Sequence, residues 1–551
     1  MHIPVPNVSG WMHRAFVLRL QVERALDAWA DATWPDAAVS AGATIVVYNE
    51  VDAGLGDVAY VSKLLKLLRA RLPQASLVLA STGVPKQERF GRPEGVTLVS
   101  VEDFAAREDL RRPTLVISAP GNFDHCRNAA DVRAALKVNP STPFLYLSEY
   151  GSLRYLKNDV LKARVPALEA FLEAFTDEVG AAAGADPEAL GHRGSTGDIL
   201  HAPEDGSPVT IGNILDGLFS DRADNPLRDW ISRPLLDFRP CGLDVGEIGI
   251  HIDRALLAEA ESLQSASSAP ARQAKVAELE HVHLRDHLTA ADARTALYAG
   301  YATSGYDLFL DYVSILENGG DRDVNLVLPT PRTPEMLRDA FITDSLVVRL
   351  ASRGVGRVVF HGYDESALVL TAPRRTTVTA DITPDGAGKV LNVISFYPLP
   401  HRDMRRLLLA SEPPTVVSGD QSFSDAISAD KTILYAEPVY CQAWHIDALL
   451  ALAGRVAPEM QAVIRFGTRS VWSEDGYDAI VDLLARPDAL APFHALAAEV
   501  RASHDANGAL VAAVKRTLLT HADPTIRAAV ADLLTRGNAA FRASSGWSAE
   551  P

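Results

Sequence analysis

Two stretches of this chain repeat one pattern: a short run of β-branched and aliphatic residues, a glycine-containing loop, then apolar residues at helical spacing. The first opens with Thr44-Ile-Val-Val-Tyr48, passes through Asn49–Asp57 and continues over Val58–Leu72. There Val61, Leu64, Leu65 and Leu68 share one helix face and Pro73 stops the helix. Leu77–Ala80, Val96–Val99, Thr114–Ser118 and Phe144–Leu147 read as further strands. The second stretch opens with Thr295–Tyr301, a strand running into a loop, and a helix over Tyr306–Leu316. It continues with strands at Val324–Pro329, Val358–Phe360, Val390–Phe396, Thr415–Val417 and Thr432–Tyr435, and a helix near Pro334–Phe341. Short apolar strands alternating with helices require βαβ units and parallel sheets, because only a helical crossover returns the chain in the same direction.

The pattern divides the chain into five regions. Residues 1–41 form a helical N-terminal extension and residues 42–160 a first Rossmann-like domain. Residues 161–292 form an Ala-rich helical insert or bridge, with polar breaks at Gly191–Pro208 and Ser262–Ser268. Residues 293–450 form a second Rossmann-like domain, and residues 451–551 a run of C-terminal helices. A chain of 551 residues exceeds what one core supports, and 47% hydrophobic with 22% charged residues is the composition of packed domains. In such sheets a ligand lies beyond the carboxyl ends of the strands, and with two domains the expected site is the cleft between them.

The formal charge of −17 excludes a general phosphate-backbone binder, which needs a basic face. The three cysteines, Cys126, Cys241 and Cys441, are far apart and offer neither a disulfide framework nor a zinc knuckle. Met1–Arg14 lacks the basic and apolar regions of a secretory signal, and no apolar run approaches the roughly 20 residues of a spanning helix. The sequence therefore reads as cytoplasmic, a secreted effector without a cleavable signal being the variant of that reading.

Three loops can carry chemistry. In Asn49–Asp57, Gly54 and Gly56 allow a tight turn and close approach to a ligand, and Asp57 stands where the next helix begins. Asp57 there either caps the helix or presents a general base. In Val417–Ser428 a strand ends, Gly419 opens a turn, and Asp420 or Ser422 caps a helix whose N–H groups and dipole suit a diphosphate, with Gln421 adding a hydrogen bond. In Tyr298–Gly305, Gly300 and Ser304 belong to the loop after the first strand of the second domain, which can approach a phosphate.

With these residues the chain resembles the GT-B glycosyltransferases, and its arrangement is most similar to the protein-arginine rhamnosyltransferases that modify elongation factor P. That family carries Asp-x-x-Gly-Asp after its first strand, where Asp52-Ala-Gly-Leu-Gly-Asp57 stands here, and Gly-Glu-Asp-Ser before a late helix, where Gly419-Asp-Gln-Ser422 stands. The acid spacing is one residue longer here, which leaves open whether Asp52 or Asp57 is the base. Asp420 and Gln421 in place of Glu and Asp remove one charge. The resemblance spans the two loops and the tandem order, about a third of the chain. It implies two Rossmann-like domains facing a cleft, carboxylates on the acceptor side, and Gly419–Ser422 on the diphosphate of a nucleotide sugar. It also implies transfer without a metal or resident cofactor; the sugar and the acceptor are not taken from it, a protein side chain being one candidate acceptor.

Other signals weigh less. His281-Val-His-Leu-Arg-Asp-His287 puts His283 and His287 on one helix face, yet it lacks the His-Glu-x-x-His pattern of a metal site. Gly242–Ile252 reads as a bulged strand with Glu247 and His251 as spare acid/base groups, and Arg402, Arg405 and Arg406 are candidate counter-charges for a diphosphate. A nucleotide-sugar epimerase on the same fold and a non-catalytic protein-interaction scaffold are the alternatives.

Overall fold

The computed structural model describes residues 24–51, 56–91, 93–121, 129–150, 238–243, 247–265, 269–291, 294–301, 306–330, 332–364, 374–396, 399–435, 443–467, 474–529 and 532. The chain divides into two compact units, Met1–Ile250 with Asp505–Pro551, and His251–His504. The stretch 451–551, read from the sequence as one helical run, is thus shared between the units at His504. Most of the insert, including Gly191–Pro208, lies outside the described residues.

The first unit is built on six parallel strands: β1 (Thr44–Asn49), β2 (Ser76–Ser81), β3 (Val96–Ser100), β4 (Leu115–Gly121), β5 (Phe144–Tyr150) and β6 (Phe238–Cys241). Their spatial order, β3-β2-β1-β4-β5-β6, is that of a doubly wound dinucleotide-type sheet, with the direction of winding reversing between β1 and β4. β1 is paired on both edges, Val46 with Val78 and with Val116, so nearly all its side chains are buried and the run reads as apolar without alternation. Val46, Tyr48, Val78, Phe104, Val116, Val132, Leu136 and Phe144 belong to one core cluster. β6 was not legible as a strand. It occupies the sheet edge, where Pro240 costs no ladder bond, and Arg239 is buried within it.

That burial rests on an ionic staple. Arg239 Nε donates to Asp27 Oδ2 at 2.8 Å and its Nη2 to Oδ1 at 3.0 Å, while Arg516 Nε donates to Oδ1 at 2.5 Å. Asp27 lies on the helix spanning 24–33 and Arg516 on the helix Ala506–Ala522, which packs on β5, β6 and the helices Asp36–Ser40 and Gly56–Arg71. Lys515 adds bonds to Asp31 and Asp36, and Arg71 to Asp36. The C-terminal helix thereby closes the first unit.

The second unit holds β7 (Ala296–Ala299), β8 (Val324–Leu328), β9 (Val355–Asp364), β10 (Arg374–Asp381) and β11 (Lys389–Ser395), in the order β10-β9-β11-β8-β7. All pairs are parallel except β9 with β10, an antiparallel arm that the sequence pattern does not show. A second parallel pair, β12 (Thr415–Val417) and β13 (Ile433–Tyr435), lies beside β7 through the bridge Tyr301–Val417. The helices Tyr306–Leu316 and Pro334–Phe341 fall where the sequence puts them, the latter with Pro334 at its first position and Thr333 Oγ1 accepting from Met336 N. From Ala443 to Ser503 the described residues are mainly helical.

Candidate functional site

In the second unit the chain runs outward from β7 to β8 and beyond, then returns on the other flank of β7 as β12 and β13. The winding therefore reverses between β7 and β12, and the loops leaving these two strands share the carboxyl edge where such sheets bind ligands. Tyr301 N donates to Val416 O at 2.9 Å and Thr415 Oγ1 to Ala299 O at 2.6 Å, which locks the two strand ends side by side. Gly300 makes this approach possible: a Cβ there would meet the N and O of Val416 at 2.9 Å and come closer still to Val416 Cγ1. The Gly300 loop and the Gly419–Ser422 loop, separate signals in the sequence, are thus neighbours.

Beyond β12, Gly419 is the N-cap of the helix Asp420–Ser428, whose first intrahelical bond runs from Phe423 N to Gly419 O at 2.9 Å. This corrects the reading of Asp420 or Ser422 as the cap. Asp420 is the first helical residue, where its charge meets the positive end of the dipole, and Gln421 is buried behind it. The Ser422 hydroxyl reaches back, accepting from Gly419 N at 3.1 Å and donating to Gly419 O at 2.8 Å. It fixes the loop rather than facing outward. Ser424 Oγ donates to His251 O and Ser428 Oγ accepts from Asp253 N at 2.9 Å, so the segment 251–253 is pinned along the same helix.

Beneath the helix start lie Tyr435, Phe423 and His445. The Phe423 and His445 rings stand 4.8 Å apart at 80°, and the Phe423 and Tyr435 rings 6.0 Å apart. Burial lowers the His445 pKa to about 3, and burial together with the Asp420 carboxylate raises that of Tyr435 well above the usual phenol value. Tyr435, the final residue of β13, is paired in register with Val417, and its hydroxyl is buried with no hydrogen-bond partner among the described residues. Nothing in the sequence singles it out, since a tyrosine closing an apolar strand is ordinary core. The arginines read as counter-charges are otherwise engaged: Arg405 pairs with Asp253 at 2.8 Å and Arg406 with Asp403 at 3.0 Å. Arg402 is 76% exposed and stands 3.6 Å from Glu280.

In the first unit the reversal lies between β1 and β4, and the loop after β1 is the acidic one. Asn49 anchors it: its Nδ2 donates to Ala119 O at 3.1 Å, while its Oδ1 accepts from Gln87 Nε2 at 2.8 Å and from Ser81 Oγ at 3.3 Å. Val51 N donates to Thr82 Oγ1 at 2.9 Å, and a Cβ on Gly83 would run into the Val51 side chain. The strand ends of β1 and β2 therefore fix the chain at Asn49–Val51, where it leaves β1. Asp57 is half-buried in the first turn of the helix Gly56–Arg71. A Cβ on Gly56 would meet nothing within 4 Å, so packing does not demand glycine there. Asp52, Gly54 and Ser304 lie outside the described residues.

The histidine cluster serves packing. His281 is the N-cap of the helix Val282–Thr289, its Nδ1 accepting from Leu284 N at 3.4 Å, and its ring meets Phe396 edge-on at 4.3 Å. His287 meets His361 at 4.8 Å. Gly242 N donates to Gly249 O at 2.8 Å in an isolated antiparallel bridge, with φ of 139° and 103° at the two glycines, where the sequence suggests a bulged strand; residues 244–246 lie outside the described residues, and Glu247 and His251 are buried. Among the described residues no group of three or more His, Cys, Asp or Glu is placed to hold a metal ion, and no helix is long and apolar enough to cross a membrane.

No family model and no curated protein matches the chain. Similar solved structures are known. One, of EarP, concerns arginine glycosylation of translation elongation factor EF-P; it is 18% identical with a TM-score of 0.30, over 49% of this chain and 72% of that one. A ugt transferase from Siraitia grosvenorii in complex with UDP is 11% identical with a TM-score of 0.39, over 86% of this chain and 100% of that one. Anabaena HepE in complex with UDP-glucose is 10% identical with a TM-score of 0.33, over 90% and 99%.

Proposed function

We propose that this protein is a metal-independent glycosyltransferase of the GT-B type, taking a sugar from a nucleotide diphosphate sugar. The observation that carries the reading is the reversal point of the second unit. There the Gly300 loop and the start of the helix Asp420–Ser428 are brought together by the Tyr301–Val416 bond, beyond the carboxyl ends of their strands. Backbone N–H groups at a helix start, aligned with its dipole, accept a diphosphate and stabilise it as the charge of the leaving group develops. Gly419, Asp420, Gln421 and Ser422 shape this cradle, Gly300 forms its other side, and Ser304, four residues further along the sequence, is the candidate hydroxyl donor of that loop. In the first unit Asp57 or Asp52, at the mouth of the corresponding loop, takes the proton of the acceptor nucleophile as general base. Gly54 and Gly56 are the candidate close-approach glycines of that sequence stretch, and at Gly56 nothing lies within 4 Å of a Cβ position. The acceptor class that accords with two acidic positions in that loop is a protein side chain, and the cytoplasm is the proposed location.

The test is a thermal-shift and calorimetric panel of nucleotide sugars and free nucleotides on the full chain. A ligand at 100 times its dissociation constant adds about 2.7 kcal/mol of stability. Gln421→Ala is expected to weaken nucleotide binding. Asp57→Asn is expected to abolish transfer while leaving donor binding intact, and Asp52→Asn decides between the two acids. If nothing in the panel binds, the transferase reading is wrong and a protein-interaction scaffold takes its place; if a nucleotide sugar is consumed with no acceptor modified and an isomer appears, the enzyme is an epimerase.

A further inference from the structure

Tyr435 carries a polar group that the fold itself does not use. It is 2% exposed, and its hydroxyl has no partner among the described residues. A buried hydroxyl left unsatisfied costs stability, and phenylalanine would keep the ring without the cost. The ring is well used: it packs with Phe423 and His445 and lines the apolar interior formed with Ile433, Leu449 and Met460. Only the hydroxyl lacks a structural reason.

Its position supplies one. Tyr435 ends β13 level with Val417, two residues ahead of the Gly419 cap, and the Asp420 carboxylate acts on its hydroxyl. The phenol therefore belongs to the carboxyl end of β13, next to the strand that leads into the nine-residue helix and within electrostatic reach of its first residue. Burial and the neighbouring carboxylate both keep its proton on, so it is a neutral donor at every physiological pH and never a competing anion.

We propose that the Tyr435 hydroxyl is a further binding group of this site, donating its hydrogen to a phosphate oxygen of a nucleoside diphosphate. The proposal rests on the diphosphate reading above and extends it from the loop and helix start to the end of the next strand. An anionic acceptor turns an orphaned donor into a charge-assisted hydrogen bond, so the cost carried by the empty protein is recovered when ligand arrives.

The experiment is calorimetric titration of the full chain with uridine diphosphate and with inorganic pyrophosphate, alongside the melting temperature of each empty variant. Tyr435→Phe is expected to melt at or above the wild-type temperature and to bind both probes about ten- to a hundredfold more weakly. Tyr435→Leu, which also lacks the hydroxyl, is expected to lose at least as much affinity, and serves if the first variant folds poorly. Thr432→Val is the control: its hydroxyl is likewise buried without a partner, but it immediately precedes β13, at the end away from Tyr435. It is expected to bind as wild type. Equal affinity of Tyr435→Phe and wild type would overturn the role of Tyr435 and leave the diphosphate site standing. Failure of the wild type to bind either probe overturns both.

Discussion

Replacing Gly300 by alanine isolates the contact on which the candidate site depends. A Cβ there meets the N and O of Val416 at 2.9 Å, and ordinary van der Waals contact begins at 3.4 Å, so β7 and β12 must part by about 0.5 Å. Backbone of a paired strand cannot swing aside as a side chain can. Parting by that amount stretches the Tyr301 N to Val416 O bond from 2.9 Å to about 3.4 Å, outside the useful range of an amide bond. Overpacking of this kind costs about 1–3 kcal/mol. Weakening the Tyr301 bond and that of Thr415 Oγ1 to Ala299 O adds about 0.5–1.5 kcal/mol each. Alanine restricts the unfolded chain and returns about 0.4–1 kcal/mol. The φ of Gly300 lies outside the left-handed region, so no backbone strain enters. The net loss is roughly 1–5 kcal/mol, and its central value of about 3 kcal/mol corresponds to about 6–12 °C in melting temperature for a domain of this size. Differential scanning calorimetry reads it directly. Adding Val416→Ala removes the clash with Cγ1 but not those with the backbone, so the double variant is expected to recover only part of the loss. Gly56→Ala, with no atom within 4 Å of the new Cβ, is the matched control and should be neutral or slightly stabilising. A Gly300→Ala protein that melts within a degree of wild type would refute the close-approach argument, and with it the claim that β12 is held against β7 at this point.

Three further outcomes follow from the same coordinates. Asp27→Ala leaves Arg239 and Arg516 buried, 1% and 0% exposed, without their carboxylate, and is expected to cost about 3–5 kcal/mol in urea unfolding. Burial pushes the Asp27 carboxyl up, but the two guanidiniums outweigh it and hold it below the ordinary value; that stability is present above the unfolded pKa near 4 and disappears as pH falls below it, so Asp27→Asn should flatten the acid limb of the stability curve. His445, lowered by burial to about 3, stays neutral in the fold while the unfolded chain gains a proton below about pH 6.5; the second unit should lose up to roughly 1.4 kcal/mol per pH unit from there downward, and His445→Phe should remove that slope. Ser422→Ala deletes both bonds to Gly419 and is expected to cost about 0.5–2 kcal/mol, with nucleotide affinity falling because the loop loosens, measured by melting and titration together.

The elements that sequence reading finds are those whose burial is decided locally. Thr415–Val417 is apolar because both faces of β12 are covered, and Tyr306–Leu316 carries its apolar stripe in its own 3.6-residue period. The elements that escape it owe their place to something distant. β10 alternates half-buried and exposed residues along a sheet edge, Thr376 to Asp381, and its threonines and arginines resemble a loop until β9 is laid beside them. β6 contains a charge that belongs in water unless a carboxylate 212 positions away meets it. The candidate site falls in the same class. Gly300, the Gly419–Ser422 loop and the acid at Asp57 are each visible as glycine, cap or charge, and periodicity places each after a strand. What makes two of them neighbours is strand order: β12 returns beside β7, at one edge of the sheet, rather than beside β10 at the other. No local pattern encodes that choice. It is written in the missing Cβ of Gly300, which has no turn to make and no left-handed φ to occupy, and which becomes necessary only when Val416 lies against it.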